Sequence, residues 1–477
     1  MSKLNIKGYD VNDTIVAIAT FPSRSALAVI KLSGKKALPI IGKVFKPARN
    51  KNICKAKTHT LHYGWIVDEQ KMINDKGKRI KEKEKIIDEV LVSIMRKPHS
   101  YTREDVVEVS AHGGSASVNK ILEIMLKQGA RLSLPGEFTY RAFLSGRIDL
   151  LQVEGVLSVV EAKTADSLTL ASSQIKGEST NKLLVLKQEI KELFIETEGV
   201  LNFPESEAGI HYSMLGKKIK EIKMKVDKFL KGSCKARYIQ EGFRCVICGK
   251  ANAGKSTLFN YFLKEERAIV SRQKGTTRDV IKSEINIQGV LLRMYDTAGI
   301  LEPKDIITKK ALKKTFQAFT KADLVILVLD ASRKLDKDDF FLLDKIKEKN
   351  TILLVNKIDI ARKEVLNQIA GIKEKKIKIS VLKNIGLGNL EKVVYNKVYK
   401  RGFDRESILF LNYYQQEVLE RLKERLEQIT MFLKQKYTID FVDLTLKECL
   451  DDLSRICGEV VSEEVLEKIF SRFCIGK

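Results

Sequence analysis

The chain has 477 residues, 44% of them hydrophobic, and carries 86 Lys and Arg against 61 Asp and Glu, a formal charge of +25. That length suits about three domains of roughly 150 residues, and the basic excess favours a polyanionic partner, with nucleic acid as the first candidate. Seven scattered cysteines, without framework spacing, argue against a disulfide-built secreted module and for a reducing compartment. No apolar run long enough to span a membrane and no signal-peptide pattern is found, so a cytoplasmic protein without a membrane span is expected.

Residues 1–130 read as a compact α/β unit, with strands over 14–20, 26–32 and 106–110 and a helix over 118–126. The Lys-rich residues 68–85 lack apolar periodicity and read as a surface loop or hairpin. Residues 131–239 are predicted to form long helices, broken at Phe203-Pro-Glu205, with Leu183, Leu186, Ile190, Leu193 and Val200 on one stripe. Strands alternate with helices over 240–400. Helical texture returns over 401–477, where Leu446, Leu450, Leu453, Cys457 and Val460 share a stripe. The simplest architecture inserts the α/β module into a helical domain built from both flanks. Four units in line are the alternative.

Within the module, Gly249-Lys-Ala-Asn-Ala-Gly-Lys-Ser256 reads G-x-x-x-x-G-K-S, after an apolar run (243–248) and before helical spacing (257–263). Strand, glycine-rich loop and helix is the context in which such a stretch cradles phosphate. Successive backbone N–H groups turn inward, and the helix N-terminus adds positive potential. Lys255 is expected to neutralise the β and γ phosphates and Ser256 to hold Mg²⁺, with Asn252, Ala253, Gly254 and Thr257 completing the loop. Asp296-Thr297-Ala298-Gly299 ends a second strand-like run. Its aspartate is placed for Mg²⁺ through water and its glycine N–H for the γ-phosphate. Gly275-Thr276-Thr277-Arg-Asp279 lies between them and offers Thr277 as the second Mg²⁺ hydroxyl. Asn356-Lys357-Ile-Asp359 follows a third strand. The Asp359 carboxylate can accept two hydrogen bonds from guanine, which adenine cannot donate. Four motifs in this order predict a Ras-like P-loop fold that hydrolyses GTP. Cys245 and Cys248 have redox spacing but sit in the strand before the loop, where buried core thiols are expected.

The chain resembles the MnmE (TrmE) family of tRNA-modification GTPases. The resemblance spans nearly the whole length. It rests on Asp13-Thr-Ile-Val-Ala17, Pro98-His-Ser-Tyr-Thr102, His112-Gly-Gly114, Pro135-Gly-Glu-Phe138, Arg141-Ala-Phe-Leu144, Gly146-Arg-Ile-Asp-Leu150, Phe203-Pro-Glu205, Gly275-Thr-Thr-Arg-Asp279 and Phe473-Cys-Ile-Gly-Lys477. It implies a folate-binding, dimerising α/β N-terminal domain, a helical domain, and a GTPase domain inserted into it. It also implies a homodimer that joins the FAD protein MnmG (GidA) in a heterotetramer. That complex adds an aminomethyl or carboxymethylaminomethyl group to carbon 5 of the wobble uridine of certain tRNAs, from a tetrahydrofolate one-carbon unit (5-formyl- or 5,10-methylene-tetrahydrofolate). The folate contacts it implies fall on Lys31, Glu108, Arg147 and Lys477, and Cys474 matches a functional C-terminal cysteine. A K⁺ ion held by Asn252, Ser271, Gln273 and Thr276 would supply the charge that an arginine finger gives elsewhere.

Several positions depart from the family pattern. Lys31 replaces an arginine, which keeps the charge and loses a bidentate fork. Pro22-Ser-Arg-Ser-Ala26 lacks the usual glycines, and Asn412-Tyr-Tyr-Gln415 stands where an Arg-His pair is usual. Its tyrosines read as core or surface residues. Ile300 follows the Asp-Thr-Ala-Gly motif and can neither orient water nor stabilise charge. Thr308 occupies the place of a catalytic glutamate, leaving Glu302 or Asp305 as acidic surrogates and K⁺-stimulated turnover below the family norm as the expectation. The Lys-rich stretches 217–231, 309–314 and 373–378 are candidate phosphate contacts, with a solvated face as the default reading.

Overall fold

The computed structural model describes residues 12–20, 24–49, 52–73, 79–202, 212–263, 268–269, 281–295, 322–347, 349–399 and 409–477. Its contacts group the chain into two compact units. One holds Met1–Leu157, Gln174–Lys187 and Leu450–Lys477; the other holds Ser158–Ser173 and Gln188–Cys449.

In the first unit, β1 (Ile15–Ile18), β2 (Leu27–Ser33), β3 (Phe45–Pro47), β4 (Thr60–Ile73), β5 (Arg79–Met95), β6 (Val106–His112) and β7 (Arg131–Leu132) form a seven-stranded sheet. Its order is β3-β4-β5-β6-β2-β1-β7, and only the β1–β7 pair is parallel. The alternation of the strands sets the two faces apart. Ile30, Leu32, Val92, Ile94, Val107 and Val109 point to one side, under α1 (Ala37–Val44) and α2 (Ser115–Lys127). The other side leaves Leu27, Leu61, Tyr63 and Leu91 exposed. Of the Lys-rich stretch, residues 68–73 and 79–85 lie on two paired strands, since β4 and β5 pair from Thr60↔Ile94 to Ile73↔Arg79.

After β7 the chain turns helical: α3 (Glu137–Leu144), α4 (Leu150–Glu161), α5 (Ala165–Ile175), α6 (Glu178–Asn202) and α7 (Tyr212–Glu241). The predicted stripe on α6 holds for Leu183, Leu186, Ile190 and Leu193, which are buried. Val200 is only half-buried, and Thr197 takes the inward place. Its hydroxyl tolerates burial because it donates to Asp443 Oδ1 at 2.6 Å.

In the second unit, β8 (Phe243–Cys248), β9 (Ala268–Ile269), β10 (Ile281–Ile287), β11 (Val290–Tyr295), β12 (Leu324–Asp330), β13 (Thr351–Asn356) and β14 (Lys376–Lys378) form a second sheet, ordered β14-β13-β12-β8-β11-β10-β9. β12 reads LVILVLD and is buried throughout, as a parallel strand covered on both faces requires. α8 (Lys255–Leu263), α9 (Lys337–Lys345), α10 (Lys363–Ala370) and α11 (Leu387–Tyr399) accompany it. The chain then returns as α12 (Tyr413–Lys434), which lies along α7 through Lys223–Glu427 (2.8 Å) and Lys423–Asp227 (2.7 Å). The segments before and after the second sheet thus pack on each other, as an insertion demands. At the start of α12, Asn412 and Gln415 form a capping box, while Tyr413 and Tyr414 are surface residues.

α13 (Ile439–Ile456) and α14 (Glu463–Phe470) end the chain. The stripe predicted over 446–460 fails at its far end. Val460 is 65% exposed because the helix stops at Ile456 and Gly458 turns the backbone away at φ +79°. Among the described residues, no helix is long and apolar enough to cross a membrane.

Candidate functional site

The phosphate loop sits where the sheet order reverses, at the carboxyl end of β8 between β12 and β11. That is where open α/β sheets bind their ligands. Two glycines are needed there for contact as well as for rotation. Gly249, at φ +139°, faces the Val328 carbonyl, and Gly254, at φ +98°, faces the Asn356 amide; a side chain would collide at either place. Asn252 adopts φ +62°, a left-handed conformation that asparagine tolerates, and its side chain is exposed. Ala253 is buried, and its carbonyl accepts from Asn356 Nδ2 at 2.9 Å. Lys255 opens α8 and donates to the Lys250 carbonyl at 2.7 Å. Burial lowers its pKa. Ser256 and Thr257 are exposed on the first turn.

The residues expected to read the base stand beside the loop. Asn356 is buried at the end of β13, and its Oδ1 accepts the Val381 N–H at 3.2 Å. Lys357 adopts φ +62° and pairs with Asp330 at 2.7 Å. Burial works against the charged Asp330, yet the bonds from Lys357 and Ser332 hold its carboxyl below the ordinary value. Asp359 is exposed in the 3-10 turn Ile358–Ile360. Val381 and Asp330 were not legible in the sequence as site residues. Val381 lies in Ser380-Val-Leu382, shortly after β14, and carries no signal of its own in the sequence. Cys245 and Cys248 are core thiols, raised by burial, Cys248 to about 12. Ser271, Gln273, Gly275, Thr276, Thr277, Asp296, Thr297, Ala298, Gly299, Ile300, Glu302, Asp305 and Thr308 lie outside the described residues, as do Lys309–Lys314.

The four residues expected at a folate site come together in the first unit. β2 and β6 pair Lys31 directly with Glu108, and the Lys31 amine lies 3.8 Å from Glu108 Oε1. It stands 4.8 Å above the Tyr101 ring and 5.1 Å from that of Phe138. The Arg147 guanidinium lies 4.7 Å over the same Tyr101 ring. Burial lowers the Lys31 pKa, Glu108 partly offsets this, and the nearby charges of Arg147 and Lys477 lower it further. Tyr101 and Phe138 are walls that the sequence did not mark as site residues.

The frame around this cluster is rigid. Arg141, buried on α3, is held by Glu137 and Glu104, both at 3.1 Å, and donates to the Asp13 carbonyl at 2.8 Å. Arg131 reaches the same Glu137 at 2.7 Å. The C-terminal tail closes one side. Gly136, at φ +70°, donates to the Cys474 carbonyl at 3.4 Å, and Gly476, at φ +94°, lies against the Ile18 carbonyl. The Cys474 side chain is exposed.

Family models match most of the chain: "GTP-binding protein TrmE N-terminus" over residues 14–147 and "MnmE helical domain" over residues 150–474. The chain is 41% identical to the tRNA modification GTPase MnmE of Thermoanaerobacter pseudethanolicus over 471 residues, covering 98% of this chain and 100% of that one. It is 34% identical to the tRNA modification GTPase MnmE of Bacillus subtilis, covering 98% of this chain and 100% of that one. Among solved structures it is similar to Aquifex aeolicus Era bound to GDP.AlF4-, at 27% identity over 39% of this chain and 67% of that one, with a TM-score of 0.27. The chain belongs to the MnmE family of tRNA modification GTPases.

Proposed function

We propose that this GTPase uses its nucleotide cycle to drive addition of an aminomethyl or carboxymethylaminomethyl group to carbon 5 of a tRNA wobble uridine, with a tetrahydrofolate bound at Lys31. The observation that carries the reading is the Lys31 cluster. Arg147 and Lys477 add their positive charge to that of Lys31 there, and Glu108 is the carboxylate that offsets it. Lys31 is desolvated, and its counter-charge stands at 3.8 Å, beyond hydrogen-bond distance. Such a cradle fits a ligand that brings carboxylates for the cations and flat apolar surface for Tyr101 and Phe138. Tetrahydrofolate has both and supplies the one-carbon unit when bound. Lys31, Arg147 and Lys477 would hold its acidic end. Cys474, whose carbonyl anchors the tail beside the pocket, would present its exposed thiol to the reaction.

At the nucleotide, Lys255 would neutralise the β and γ phosphates, and Asp359 would read guanine. Mg²⁺ would be held by Ser256 and Thr277, with Asp296 acting through water and Gly299 on the γ-phosphate. K⁺ would be held by Asn252, Ser271, Gln273 and Thr276, supplying positive charge that Ile300 cannot. The left-handed, exposed Asn252 fits that duty, since its amide oxygen is free of the strand core. The exposed Leu27, Leu61, Tyr63 and Leu91 support a homodimer formed through the open sheet face. The partner would be an MnmG-type flavoprotein and the compartment the cytoplasm, which the seven free thiols suit. Mass spectrometry of wobble uridines in a strain lacking this gene tests the reading. Loss of the modification is expected, and intact modification overturns it.

A further inference from the structure

The β10–β11 hairpin occupies a special place in the connectivity. Ile281 pairs with Tyr295 at one end, and the chain tie there is direct: residues 270–280 run into β10, and residues 296–321 follow β11. These are the stretches that carry Thr277 and Asp296. At the other end the hairpin turns through Gln288 and Gly289, at φ +51° and +90°. One face of β10 is anchored in the GTPase core through Ile285 and Ile287. The opposite face carries Glu284, only 7% exposed.

Glu284 is a buried carboxylate between two cations from different parts of the chain. Arg293, its register partner on β11, reaches Oε1 at 3.3 Å. Lys163, in the short link between α4 and α5, reaches Oε2 at 2.5 Å. A second touch lies at the turn, where a side chain on Gly289 would sit 3.3 Å from Asp166 Oδ2. Residues 158–173 therefore hold the hairpin along its strand through Lys163, and Asp166 borders its tip. An apolar contact of this size can slide by an ångström at little cost. A buried ion pair cannot, because any displacement leaves a desolvated charge short of its partner.

We propose that Lys163, Glu284 and Arg293 form a coupling clasp through which the nucleotide state of the GTPase sheet is passed to residues 158–173, with Lys163 as a positioning residue for tRNA modification. The inference rests on the reading above, in which the stretches holding Thr277 and Asp296 sense the γ-phosphate. A hairpin joined to both stretches at one end and clasped along its strands can pass a shift between them. When the joined end moves, helical residues 165–173 must follow or the clasp must open. Coupling of this kind is worth 5- to 150-fold, on the order of 1–3 kcal/mol.

The test uses the full-length protein with its flavoprotein partner and tRNA. Lys163→Met is expected to hydrolyse GTP within about twofold of wild type while tRNA modified per GTP falls about tenfold. Lys163→Arg, which keeps the charge, should preserve the ratio. Hydrogen exchange supplies a readout independent of the tRNA chemistry. Amides of 165–173 should differ in protection between GDP and a non-hydrolysable GTP analogue in wild type, and lose that difference in Lys163→Met. Glu284→Gln, nearly isosteric, repeats the measurement should Lys163→Met fold poorly. A wild-type ratio and an undiminished exchange difference in the variants would overturn the clasp, as would a parallel fall in hydrolysis and modification. Wild-type protein that modifies no tRNA would sink the function proposed above, while the exchange experiment would still decide the clasp.

Discussion

Lys31 and Lys255 sit in different units of the molecule and share an electrostatic condition. Burial is the main cause that lowers each amine below its ordinary pKa. Elsewhere in the chain, lysines sit on carboxylates at bonding distance, as Lys357 does on Asp330 at 2.7 Å. Among the described residues, Lys255 bonds a backbone carbonyl of its own loop and no carboxylate, and Lys31 has a carboxylate 3.8 Å away. The two are built differently. The phosphate loop draws its charge from one contiguous stretch, whereas the Lys31 pocket draws on β2, β6, the end of α3 and the last residue of the chain. A desolvated cation left short of counter-charge marks a place for a ligand's anion, however the chain assembles it.

The sharpest control is a cation already in contact with two carboxylates. Arg141→Met removes the buried partner of Glu137 and Glu104, and unfolding of the first unit should become easier by about 3–5 kcal/mol. Urea denaturation followed by tyrosine and tryptophan fluorescence measures this, and an unchanged midpoint would deny Arg141 its structural role. Lys255→Ala should weaken GTP binding by about a hundredfold or more, of the order expected for truncating one partner of a buried charge pair. Its folding and its affinity for a folate should not change, and calorimetric titration with each ligand separates the two. Lys31→Met should lower folate affinity by about tenfold to a hundredfold, the scale of a hydrogen bond to a charged group, and leave GTP binding alone. Lys31→Arg should retain or improve it through the fork of the guanidinium. Equal losses of both ligands in either lysine variant would break the parallel between the two sites.

The smallest effect is in pH. A bound anion needs the Lys31 amine protonated, and burial makes that amine lose its proton at lower pH than an ordinary lysine. Folate affinity should therefore fall as pH rises, beginning below the usual lysine range, and the fall should vanish in Lys31→Arg. Titrations at a series of alkaline pH values check the sign.

What the sequence disclosed and what it withheld follow from range. Residues 249–256 and 356–359 are short stretches whose chemistry lies within a few positions, so spacing alone was enough. The two helical segments on either side of the GTPase sheet were legible through periodicity, and α7 beside α12 supports the insertion. The inward place of Thr197 was not legible, because the carboxylate that satisfies its hydroxyl belongs to Asp443. Val460 misled because periodicity counts residues and ignores the turn at Gly458. The walls of the Lys31 pocket, Tyr101 and Phe138, looked like ordinary core aromatics. Only a sheet that pairs Lys31 with Glu108 brings them under one amine.

The contact between Gly254 and Asn356 has a consequence for release. Asn356 holds the Ala253 carbonyl with one end of its amide and the Val381 N–H with the other, and Gly254 leaves no room between loop and amide. The phosphate end and the base end of the proposed nucleotide site are therefore riveted by one side chain. Nucleotide should leave in a single step, without first swinging out by its base or its phosphates. Asn356→Ala would remove the rivet, and stopped-flow dissociation of a fluorescent guanine nucleotide would then split from one phase into two.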